Sequence, residues 1–106
     1  MAKLTKKSTS MTSFHGSVIR CTANELIAAI GNPQNMYNTG EDKSNFDWEC
    51  ETKSGKVFTI YDWKEYRVID LNEKIAWHIG GFGFMDTEEA KDELIAQILK
   101  NKLQNA

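Results

Sequence analysis

The sequence predicts an α+β domain: a small antiparallel sheet, in β-α-β-β-β-α order, carrying a short helix and a longer C-terminal one. Three observations support this. The segment "FDWECET" alternates, sending Phe46, Trp48 and Cys50 to one face and Asp47, Glu49 and Glu51 to the other, as a half-buried strand does. "KSGK" follows it as a tight turn into "VFTIYDW", which completes a hairpin. Helical patterns flank the run of strands, which places helices against one face of an antiparallel sheet.

Taken in order, "SFHGSVIR" from Ser13 to Arg20 reads as the first strand, with Phe14 and Val18 in register and Gly16 between them. In "CTANELIAAIGNP", Thr22 and Glu25 are spaced as a capping box, whose hydroxyl and carboxylate satisfy amides at the helix start. Leu26, Ile27 and Ile30 form an apolar side, while Gly31 and Pro33 stop the helix, which is expected over 23–30. "NPQNMYNTGEDKSN" has no periodicity and reads as a long loop. After the hairpin, "KEYRVIDLNEK" bends back, "IAWHIGG" forms a strand with Ile75, Trp77 and Ile79 on one side, and "GGFGFMD" is a glycine-rich connector. The last helix, "DTEEAKDELIAQILKNKLQ", is acidic at its start and basic at its end, matching the helix dipole. Its stripe of Leu94, Ile95, Ile98 and Leu99, extended by Leu103, should close the core, with any surplus available to a dimer interface.

At 106 residues the chain is the size of one domain. Residues 1–12, with Lys3, Lys6 and Lys7 and no acid, read as a flexible basic arm, and 13–106 as a single α+β domain. Met11 offers a second possible start, which would make the arm dispensable. Without those lysines the thirteen basic residues fall to ten, against fifteen acidic ones. That balance argues against duplex nucleic acid as a partner. No apolar run has the length of a membrane span and no apolar segment follows the first lysines, so the expectation is a cytoplasmic protein without signal peptide or membrane contact. Two cysteines, Cys21 and Cys50, are too few for a disulfide framework and are expected reduced.

Candidate chemistry is sparse. His15 and His78 have no metal-ligand spacing with the cysteines. Glu41, Asp42, Asp47 and Glu49 read more readily as loop and solvated strand than as a catalytic metal site. Cys21, just before a helix, could carry a lowered pKa, but nothing in the sequence sets a histidine beside it. No phosphate-loop pattern or nucleophile elbow occurs. The chain is therefore expected to have no catalytic residues, metal or cofactor, and not to be an enzyme.

The stretch "KVFTIYDWKEYR" carries the binding signal. Phe58 and Ile60 face one side of the strand, while Val57, Thr59, Tyr61 and Trp63 face the other. One reading makes the second set a half-buried sheet face. The other makes it a stacking platform edged with cations, since one helix-covered layer cannot absorb rings on both sides. On that reading Trp48, Tyr61, Trp63 or Tyr66 stacks a base, and Lys43, Lys64, Arg67 and His78 meet phosphate or ribose. Gly80 and Gly81 let a ligand approach the backbone. His78 alone is otherwise an ordinary hydrogen-bonded histidine, and the two glycines an ordinary turn.

"FHGSVIRCTANELIAAIGNPQN", "DKSNFDWECETKSGKVFTIYDWKEYR" and "WHIGG" together resemble a group of small phage-encoded proteins, mostly of unknown function, over residues 14–81. The resemblance implies accessory phage biology, similar to counter-defence proteins that sequester nucleotide immune signals such as cyclic dinucleotides or cyclic ADP-ribose derivatives. It assigns no binding residues. The expected function is thus sequestration, without cleavage, of a small nucleotide-derived signal in the host cytoplasm, at the seam of a homodimer or higher homo-oligomer because so small a domain encloses little. The alternative is an acidic inhibitor that engages a basic host defence protein through Asp47, Glu49 and Glu51. A small nucleotide hydrolase is a third reading.

Overall fold

The computed structural model describes residues 1–104 and is an α+β sandwich: one antiparallel sheet with two helices. Its elements are β1 (Lys3–Leu4), β2 (Ser13–Cys21), α1 (Ala23–Ile30), β3 (Asn35–Met36), β4 (Phe46–Glu51), β5 (Val57–Tyr61), β6 (Ile75–Gly81) and α2 (Phe84–Gln104). The sheet order is β1-β4-β5-β6-β2, with β3 also paired to β4. From the edge strand β2 the chain crosses through α1 to the far side, then returns as the meander β4-β5-β6.

Alternation sets the inward face. Phe46, Trp48 and Cys50 of β4, Phe58 and Ile60 of β5, and Trp77 and Ile79 of β6 are all buried in one core with Leu26 of α1 and Ala90, Leu94 and Ile98 of α2. The Trp48 and Trp77 rings meet edge to face at 5.3 Å, a favoured aromatic geometry. Each indole N–H is satisfied, Trp48 donating to the Gly31 carbonyl and Trp77 to that of Cys21, both at 2.9 Å. These bonds tie the ends of α1 to the sheet. The capping box forms as expected, with Glu25 N–H donating to Thr22 Oγ1 and Thr22 N–H donating to Glu25 Oε1.

Three expectations change. The N-terminal segment is docked. β1 pairs with β4, Ala2 is buried, and its amide donates to Gln97 Oε1 while its carbonyl accepts from Gln97 Nε2. Two of its three lysines also meet opposite charge, Lys3 and Lys7 pairing with Glu51, while Thr5 and Thr9 donate to Glu51 and Glu49. The missed signal was Ala2 and Leu4, apolar residues too short a pattern to read as a strand. Second, α2 begins at Phe84, earlier than the acidic run suggests, while Gly80 and Gly81 end β6 as in the strand reading of "IAWHIGG" and not as a turn. A Cβ on Gly81 would lie 2.8 Å from the Thr87 side chain, so this glycine lets α2 pack against the strand. Third, the α2 stripe splits: Leu94 and Ile98 are buried, but Ile95, Leu99 and Leu103 are exposed.

Candidate binding face

The face of the sheet away from the helices carries a second aromatic group. Strand register places Asn35, Asp47, Tyr61, His78 and Val18 side by side across β3, β4, β5, β6 and β2, one strand spacing of about 4.8 Å apart. His78 stacks on Phe14 at 4.1 Å and is tilted against Tyr61 at 5.5 Å and Trp63 at 6.3 Å. Tyr61 meets Trp63 edge to face at 5.9 Å. A Cβ on Gly80 would lie 2.5 Å from Thr59 Oγ1 and 3.6 Å from the Tyr61 ring. Gly80 therefore makes room for its neighbours on the platform.

Trp63 is 41% exposed, whereas Trp48 and Trp77 are fully enclosed. The Lys64 and Lys43 ammonium groups lie 5.4 and 6.0 Å from the Trp63 ring centroid, at cation–π range. The Lys64 amide donates to the Lys43 carbonyl at 2.7 Å, joining the two loops that carry them. Lys64 and Tyr66 have φ of 55° and 50°, left-handed values uncommon for residues with a side chain. Strain of this kind persists where surrounding structure enforces it, commonly at functional loops.

A groove of about 500 Å³ opens beside this platform, lined by Asn35, Tyr37, Asp42, Lys43, Ser44 and Asp47. Asp47 sits half-buried in its wall and, among the described residues, accepts only from the Ser44 hydroxyl, at 3.1 and 3.4 Å. Burial pushes its carboxyl above the usual range, and Asp62 and Glu49 add to that. Asp62 differs. It is fully buried, and its carboxylate accepts from the amides of Asn45 and Phe46 at 2.8–3.0 Å. Burial also raises its pKa, with those amides opposing the rise. Asp62 thus holds the entry to β4, a role that its setting in "YDW" does not announce.

Of the residues singled out from sequence, the fold brings together Tyr61, Trp63, Lys64, Lys43, His78 and Gly80. Phe14, expected only as a strand residue, joins them because the β2–β6 register sets it beside Gly80 and His78. Trp48 does not join: it is sealed in the core on the opposite face. Gly81 faces α2. Arg67 is held by Glu73 through two bonds of 2.8 and 2.6 Å and by Glu65 at 3.0 Å, so its charge is met within its own loop. Tyr66 is exposed on that same loop. His78 is held below the usual imidazole range by burial, which makes it a neutral ring near pH 7 rather than a phosphate cation. Cys21, considered for a lowered pKa, is instead buried and pushed up to about 12, with Glu25 adding to the effect of burial.

No family model, curated protein or solved structure matches the chain. Among the described residues, no helix is long and apolar enough to cross a membrane.

Proposed function

We propose that this protein is a binding module that sequesters a small nucleotide-derived ligand without cleaving it, acting as a phage counter-defence protein in the host cytoplasm. The observation that carries the reading is the aromatic group on the sheet face away from the helices, Phe14, His78, Tyr61 and Trp63, bordered by Lys43 and Lys64. An exposed ring, as Trp63 and Phe14 are, stacks a planar base at about 1–3 kcal/mol, and lysines at the rim suit phosphate. A second copy closing over the platform belongs to the same proposal, because one open sheet face encloses little of a ligand.

The competing idea of an acidic docking strand finds less support. Of Asp47, Glu49 and Glu51, Glu51 is paired with the chain's own Lys3 and Lys7 and accepts from Thr5, and Glu49 accepts from Thr9, so part of that acidic face is already met within the chain.

Trp63 is the exposed indole of three, so intrinsic fluorescence reports on the platform. Titration with mono-, di- and cyclic nucleotides should quench it saturably, and the nucleotides should be recovered intact. Trp63→Ala, followed by calorimetry, should weaken binding by roughly 5- to 100-fold with the fold retained, the value of one stacked base. Absence of binding across the whole panel would overturn the reading.

A further inference from the structure

We propose that Asp47 reads the base edge of the ligand, selecting a ring that presents two adjacent N–H donors, as guanine does. This rests on the nucleotide-binding reading above and assigns to the same face a preference that stacking alone cannot supply.

The argument begins with two neighbouring carboxylates. Asp62 is supplied from within the fold, since the Asn45 amide meets both its oxygens and the Phe46 amide meets one of them in the interior. Asp47 is partly withdrawn from water yet receives one hydroxyl, at the long end of hydrogen-bond range, and makes no ion pair among the described residues. A carboxylate offers about four acceptor positions, and one left short of donors in a half-buried wall favours a ligand that brings them.

Position determines what can bring them. Asp47 is the direct cross-strand neighbour of Tyr61, which is in turn the neighbour of His78. The Tyr61 and His78 rings are inclined by 58°, so a base stacks on one of them; on Tyr61 it lies beside the strand that carries Asp47, with its edge turned toward the carboxylate. The groove leaves space there, and Lys43, on its rim, also stands over Trp63. One end of the ligand therefore meets an acceptor and another a cation.

Guanine sets N1–H and its 2-amino group side by side, matching two carboxylate oxygens. Hypoxanthine keeps only N1–H. Adenine offers one amino group beside an acceptor nitrogen, which a carboxylate repels. Paired contacts of this kind discriminate between bases by about 1–3 kcal/mol. A ribose diol also presents two adjacent donors, but it is common to all three nucleotides and predicts no preference among them.

The test is calorimetric titration of the full chain with guanosine, inosine and adenosine 5′-monophosphates. The guanosine nucleotide should bind at least about fivefold tighter than the other two. In Asp47→Asn, its thermal melt checked first, that advantage should disappear while binding of the adenosine nucleotide is kept. Equal binding of the three by the unmodified chain would overturn this inference and leave the nucleotide-binding reading standing. Binding of none would overturn both.

Discussion

The two faces of this sheet hold similar side chains in opposite circumstances. On the helix side, Phe46, Trp48 and Trp77 are wholly enclosed, and both indoles have carbonyl acceptors. On the other side, Phe14, Tyr61, Trp63 and His78 touch one another but lie under no helix, and the Trp63 N–H donates to no group among the described residues. The difference teaches that aromatic content alone does not mark a core. A covering layer and partners for polar atoms do so, and rings without either are free for other contacts.

Substitutions separate the two sides most sharply where the effect is largest. Trp77→Ala should cost about 3–5 kcal/mol, through lost burial and a residual cavity, and chemical denaturation will measure it. Trp63→Ala, by contrast, should stay within about 1 kcal/mol of the parent. Equal losses at both positions would erase the distinction. Next in size, Asp62→Ala removes the acceptor for the Asn45 and Phe46 amides and should destabilise by about 2–3 kcal/mol, again read by denaturation, whereas Asp47→Ala should do far less. Removing residues 1–10 takes the Ala2 partner from buried Gln97 and should cost about 1–3 kcal/mol, seen as a lower melting temperature. An unchanged melt would restore the view of that segment as a loose arm.

The smallest effect is one of pH. Burial holds His78 below its ordinary value of 6.5, so the unfolded chain takes up a proton first as pH falls. The stabilisation from the neutral ring is complete above about 6.5 and is lost as pH drops through the lower folded-state value. Melting curves of the parent and His78→Gln, compared near neutrality and near pH 5, should show the parent losing more in acid.

Much of the architecture was legible because period-two patterns survive single-sequence reading. Phe46-Trp48-Cys50 and Ile75-Trp77-Ile79 both alternate, and the Thr22–Glu25 box marks a helix start by chemistry local to four residues. The docked N-terminus was hidden because its partner, Gln97, lies ninety-five positions away and Lys3, Lys6 and Lys7 suggested solvent. Within the platform, Tyr61 and Trp63 could be assigned from strand parity. Phe14 could not, because its place depends on the register shift between Phe14 and Val18. Arg67 was misjudged for a related reason: its partner Glu73 lies across a turn, and a charge near rings looks free until its loop is folded. Trp48 was offered both as core and as site, and parity alone favoured the core.

The Ala2–Gln97 clamp bears on how the molecule assembles. Gln97 bonds both the amide and the carbonyl of Ala2, and its Nε2 also donates to the Ala29 carbonyl. A ribosome making this chain must translate nearly all of it before the second residue finds its resting place. Until then β1 is held at the sheet's margin by its pairing with β4 alone, and chaperone capture or pairing with a sister chain competes for that edge.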